Sequence, residues 1–170
     1  MHSSASQDGS ISLSRNRLSN TTVTIALVAI AAFVLDQITK RLISTSFLPG
    51  ESRIVIPHLL KWTYERNFHG AFGMFGSSAV LLIGMALIVL VIFWLSFRDA
   101  AYRSRLVCVA FGMIVGGAIG NIVDRLNHGY VIDFVDFYRI WPNIFNIADS
   151  CITVGVIFLL LSSLATRRHA

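Results

Sequence analysis

Charge is scarce in this chain. Asp, Glu, Lys and Arg make up 14% of its 170 residues, 55% are hydrophobic, and the mean hydropathy is +0.68. One soluble globule of this length cannot hide so much nonpolar side chain, which excludes a water-soluble domain and points to lipid. Runs of Lys and Arg never exceed two residues, and no basic stripe alternates with aromatics. The net charge of +5 and the pI near 9.8 therefore lack the pattern of a nucleic-acid surface. Cysteine is confined to Cys108 and Cys151. They fall near ends of their hydrophobic segments that face opposite sides of the membrane in the predicted layout, which argues against a disulfide. CxxC and His/Cys metal spacings are absent, so neither a zinc site nor any other cofactor is implied. Proline occurs three times, and no Ser/Gly/Pro linker or repeat divides the chain after residue 20. One domain over residues 21–166 is predicted.

What is present is a set of long apolar runs. Residues 1–20 are rich in Ser, show no apolar periodicity and are expected to be a disordered tail. Val23–Ile43 is the first expected span, with 13 charge-free residues through Leu35 before Asp36, Lys40 and Arg41. At about 1.5 Å per residue it reaches roughly 30 Å, the hydrocarbon thickness. Its basic start resembles a secretory signal peptide, but the amphipathic continuation through Asp36 makes a poor cleavage region. Residues 79–97, 106–123 and 147–164 supply three further spans.

Four spans place both termini on one side. The N-terminal tail, the Arg98–Arg105 loop and the C-terminal tail hold seven arginines against Asp8 and Asp99. The other face balances seven cations against seven acids. The positive-inside bias therefore predicts cytoplasmic termini, with segments 44–78 and 124–146 outside. The stretch from Arg53 to Tyr64 reads as one or two short strands, and Gly70–Gly76 as an interfacial loop or half-helix. Tyr130, Tyr138 and Trp141 suit the headgroup boundary. Gly112, Gly116 and Gly120 recur every four residues and predict close helix approach.

Carboxylates at membrane depth cost about 2.5 to 3.5 kcal/mol each on insertion scales, so they call for a partner or a function. Asp36 has Lys40 one turn later, and Asp124 has Arg125 beside it as a bridge to carboxylates on other helices, so both favour structural roles. Asp133 and Asp149 lack an obvious cation, and each sits where an outer loop meets a span. Two carboxylates brought close share a proton; the charged one activates water while the protonated one polarises a carbonyl. Local spacing leaves both assignments open. Asn146-Ile-Ala-Asp149 is also a capping box, and Asp136 competes with Asp133. The five histidines accompany no G-x-S-x-G signature, which disfavours a Ser/His/Asp relay.

Five motifs stand in order over about residues 23–164: Asp36-Gln-Ile-Thr-Lys40, Asn67 followed by Gly-Ala-Phe-Gly, Gly120-Asn-Ile-Val-Asp-Arg125, Val131-Ile-Asp-Phe134 and Phe145-Asn-Ile-Ala-Asp-Ser150. Together they resemble the lipoprotein signal peptidase (signal peptidase II) family. The resemblance implies an α-helical membrane protein of four transmembrane helices with a small extracytoplasmic β-cradle. It implies a catalytic pair at Asp133 and Asp149, with Asp36, Lys40, Asn67, Asn121, Asp124, Arg125 and Asn146 supporting the pair or contacting substrate. The implied reaction cleaves diacylglyceryl-modified prolipoproteins before the lipidated cysteine, at the outer face of a bacterial cytoplasmic (inner) membrane. Lipidated prolipoprotein and membrane lipid are the implied partners, with no nucleic acid, no cofactor and no obligate protein partner. His69 stands where the family usually has glycine, and Gly70 is displaced by one. Two other classes fit intramembrane acids: a transporter or channel component that binds protons or cations, and a scaffold in which the acids only form ion pairs.

Overall fold

The computed structural model describes the backbone of residues 4–69, 78–101 and 104–167, with side chains over 20–69, 78–101 and 104–165. Among the described residues the order is α1 (Ser4–Ser46), β1 (Ser52–Ile56), β2 (Leu60–Asn67), α2 (Ala79–Ala101), α3 (Arg105–His128), β3 (Val131–Asp136) and α4 (Ile147–Arg167). Each helix holds a stretch long and apolar enough to cross a bilayer: Asn20–Ser46, Ala79–Ala101, Arg105–His128 and Ile147–Ala165. The expected spans lie inside these, each helix running further than its uncharged core.

α1 corrects one expectation. Residues 1–20 read as a disordered tail, yet the helix begins at Ser4. Helix growth adds a hydrogen bond per residue once a nucleus exists, and the apolar span supplies the nucleus. The first proline is Pro49, so no earlier residue forbids that growth. The expected boundary between tail and membrane domain thus falls within one continuous helix. Pro49 disfavours helical backbone at Leu48 and closes the far end. Gly50 turns the chain at φ +84°, and the Glu51 carboxylate accepts the Leu48 N–H at 2.8 Å.

α3 is the centre of the bundle: 56% of its span is buried against the rest of the molecule, compared with 6% for α2. Small residues make this possible. A Cβ on Gly116 would strike the backbone of Ala29, and one on Gly112 would lie 2.6 Å from the Val28 Cβ. α1 and α3 therefore meet nearly backbone to backbone, as the four-residue glycine spacing predicts. Phe111, Ile114, Leu159 and Val107 fill the apolar core at the other end of α3.

The strands form one antiparallel sheet in the order β1-β2-β3. The stretch from Arg53 to Tyr64, expected as one or two short strands, is two strands: β1 and β2 pair as a hairpin, and β2 runs on to Asn67. β3 pairs Asp133 with Glu65 and Asp136 with Lys61, across a register shift between Trp62 and Glu65. Because β1 and β2 follow α1 and β3 joins α3 to α4, the sheet stands at one end of the bundle. Ile43, Tyr64, Ile132 and Phe134 pack it onto α1. The stretch Gly70–Gly76, expected as a loop or half-helix, lies outside the described residues.

Candidate active site

The acids of the first and third helices meet around one lysine. Lys40 Nζ lies 2.8 Å from Asp36 and 2.9 Å from Asp124, with all three side chains buried. Asp36 pairs with Lys40 across one helical turn, as the spacing predicts, whereas Asp124 takes Lys40 instead of the neighbouring Arg125. Gly120 permits the cluster, because a Cβ there would sit 2.5 Å from Asp36 Oδ2. Both carboxylates also cap backbone: Asp36 accepts the Ala148 N–H at 2.9 Å on its other oxygen, and Asp124 accepts the Ile132 N–H at 3.1 Å on the same Oδ2 that meets Lys40. One ion cluster thus ties the start of α4 and the entry to β3 onto α1 and α3.

Lys40 also donates to Asn121 Oδ1 at 2.9 Å. A cation can only donate, so the Asn121 amide must turn its NH2 outward, where it donates to Asp149 Oδ1 at 2.8 Å. Asp149 occupies the first turn of α4. Its N–H donates to Asn146 Oδ1 at 2.9 Å and its Oδ2 accepts the Asn146 N–H at 3.4 Å, the reciprocal capping box. Asn146 then points its own NH2 at Asp133 Oδ1, 2.6 Å away. The other Asp133 oxygen accepts from Asn67 Nδ2 at 2.8 Å.

Asp133 and Asp149 line a single open cavity of about 1180 Å³ at the sheet end of the bundle. Asp136 does not line it; it bonds Thr63 at 2.9 Å and pairs with Lys61 at 3.2 Å. Burial, and next the charge of the neighbouring Asp149, push the Asp133 carboxyl from 3.8 up to about 7. The cavity walls are mixed: Glu65, Arg66, Asn67, Asn121 and Arg125 beside Phe137, Ile140, Trp141, Phe145, Ile152 and Val154. Among the described residues no group of three or more His, Cys, Asp or Glu is placed to hold a metal ion.

A family model described as signal peptidase (SPase) II matches residues 28–165. The chain belongs to the signal peptidase II family. A lipoprotein signal peptidase of Moorella thermoacetica is 38% identical over 133 residues, 78% of this chain and 87% of the relative. One from Staphylococcus haemolyticus is 38% identical over 146 residues, 84% of this chain and 92% of the relative. A bacterial membrane enzyme solved by the in meso method at 2.3 Å resolution superposes with a TM-score of 0.75 at 36% identity, covering 84% of this chain and 88% of that one. The chain is accordingly a peptidase-family membrane protein with several spans.

Two details of this candidate site go beyond the sequence reading. His69, in the position usually held by glycine, leaves Asn67 in place: its backbone N–H donates to Asn67 Oδ1 at 3.1 Å, which leaves Nδ2 for Asp133. Gln37 was not singled out from sequence. Its amide bonds Asp36 at 3.2 Å and Asp124 at 3.1 Å, lacing the ion cluster from the side. The available signal was a neutral amide within an apolar span, which faces the same cost of burial as a charge on a smaller scale.

Proposed function

We propose that this chain is an intramembrane aspartyl endopeptidase that removes the signal peptide from diacylglyceryl-modified prolipoproteins by cutting before the lipidated cysteine. The observation that carries this reading is the convergence of Asp133 and Asp149 on one cavity with Asn146 bonded to both. The relatives' name, lipoprotein signal peptidase, supports the substrate class. The apolar half of the cavity, including Ile152 and Val154 on a membrane-spanning helix, suits a substrate that keeps its acyl chains in lipid.

The chemistry needs one proton between two carboxylates. The charged carboxylate takes a proton from water as the water oxygen bonds to the scissile carbonyl carbon, and the protonated carboxyl gives its proton to the carbonyl oxygen. The resulting gem-diol collapses when the first carboxyl passes its proton to the amide nitrogen and the C–N bond breaks. A diol proton returns to the second carboxylate, so the pair ends as it began. Asn67, Asn121 and Asn146 hold the carboxylate oxygens in place for this exchange. Lys40, Asp36 and Asp124 fix the amides from behind. Arg125 lines the cavity, and its buried Nε has no hydrogen-bond partner among the described residues, which suits a substrate carbonyl. Arginine excess around both termini supports a cytoplasmic location for them, with the cavity at the extracytoplasmic face.

The test is cleavage of a synthetic diacylglyceryl prolipoprotein peptide in detergent micelles, with chelator present. Wild type is expected to cut before the lipidated cysteine, and Asp133→Asn and Asp149→Asn each to lose about a hundredfold or more of the rate. Retained turnover by either folded variant would refute the assignment of the pair. No cleavage by folded wild type would move ion transport or scaffolding to the front.

A further inference from the structure

Asp136, left outside the carboxylate pair, belongs to a second constellation on the far side of the cavity wall. The β1–β2 hairpin turns at Pro57-His58-Leu59, where His58 adopts φ 63°, a left-handed backbone that a residue with a Cβ rarely takes. That turn aims the His58 N–H at the Tyr138 hydroxyl oxygen, which accepts it. The Lys61 ammonium lies 5.0 Å from the Tyr138 ring centroid and is held there by Asp136, its cross-strand partner at 3.2 Å. Thr63 donates to the same Asp136 at 2.9 Å. Phe137 and Ile140, on either side of this short segment, line the cavity, whereas Tyr138 does not.

We propose that Tyr138 is a positioning residue for substrate affinity, through which the hairpin tip holds the Phe137–Trp141 turn as the apolar wall of the cavity. Its base is closed by the backbone bridge between Val135 and Phe145, but at its tip, among the described residues, Ile140 and Trp141 donate to Phe137 O, at 2.8 and 2.9 Å, and both side chains are exposed. On its cavity side Phe137 stacks on Phe145 at 5.7 Å, so that the wall is fixed from within by one aromatic contact and from behind by Tyr138. A wall that touches bound substrate equally before and during reaction contributes uniform binding, which appears in KM and not in kcat. This role rests on the peptidase reading of the site, with Asp136 and Lys61 given work outside the chemistry.

The experiment compares wild type, Tyr138→Phe and Tyr138→Ala in micelles by cleavage kinetics on the lipidated peptide and by hydrogen exchange at the Ile140 and Trp141 amides. Loss of the hydroxyl is expected to raise KM about threefold, and loss of ring and hydroxyl about tenfold, with kcat within about twofold. Exchange at both amides is expected to quicken in the same order. An unchanged KM in Tyr138→Ala overturns the affinity role, as does a fall in kcat at constant KM. If wild type itself does not cleave, the peptidase reading fails separately, and exchange alone decides the tether: unchanged protection in Tyr138→Ala overturns it.

Discussion

Asn146 has three tasks at once. It caps α4, donates to Asp133 and, at 3.3 Å, donates to Asn121 Oδ1. The pair is therefore built from amides that can be arranged in only one way, since Lys40 fixes the first of them. The charge state of Asp133 follows from this dry setting. Its carboxyl titrates near 3.8 in an unfolded chain and at about 7 in the folded protein. Between those values the folded protein keeps a proton that the unfolded chain has lost, so the group's contribution to stability falls as pH rises through that window. Asp133→Asn has nothing to titrate. Its melting temperature relative to wild type should move in the variant's favour between about pH 5 and about pH 8, measured by thermal melts in detergent. An equal difference at both pH values would contradict the raised titration. Which acid occupies this place was not legible locally: Asp133 and Asp136 lie three apart, and the choice is made by the pairing of β3 with β2, a contact far away in sequence. Asp149 was readable as a cap, because a cap is local.

At the level of elements, the spans were legible because a bilayer demands long charge-free runs, and those runs are in the chain. β3 was harder to see. Five of its six residues are buried, so the alternation that marks a half-exposed strand is missing. The helical start of α1 was missed for the opposite reason: Ser4–Asn20 carries no apolar stripe, and only continuity with the span makes it helix. The glycine stripe was read correctly as packing, and it makes a sharp prediction. Gly116→Leu must push α1 away from α3 and is expected to destabilise by about 1–3 kcal/mol or more. Gly84→Ala on α2, where an added Cβ meets nothing within 4 Å, should be neutral or slightly stabilising. Melting temperatures of the two variants in the same detergent check this, and comparable losses would remove the close-approach argument.

For the whole molecule, four helices of uneven burial surround a site placed at one end. α3 carries the packing, whereas α2 shows its apolar face almost entirely outward. For topology we propose cytoplasmic termini from the arginine distribution alone: by sequence the two tails and the segment between α2 and α3 hold seven arginines. Reporter fusions at the C-terminus and between α3 and β3 should give opposite results, with alkaline phosphatase active only at the second position. Activity at the C-terminus would reverse the orientation and move the cavity to the other compartment.

The Asp36–Lys40 pair has a consequence for how the protein enters its membrane. Because the two charges sit on one helix, one turn apart, α1 can leave the insertion machinery with its carboxylate already compensated, as a self-contained segment. Asp124 arrives only with α3, and its cation is waiting on α1. The order of synthesis along the chain is thus also the order in which buried charge finds its counterion, and docking of the third helix on the first is the step that completes it.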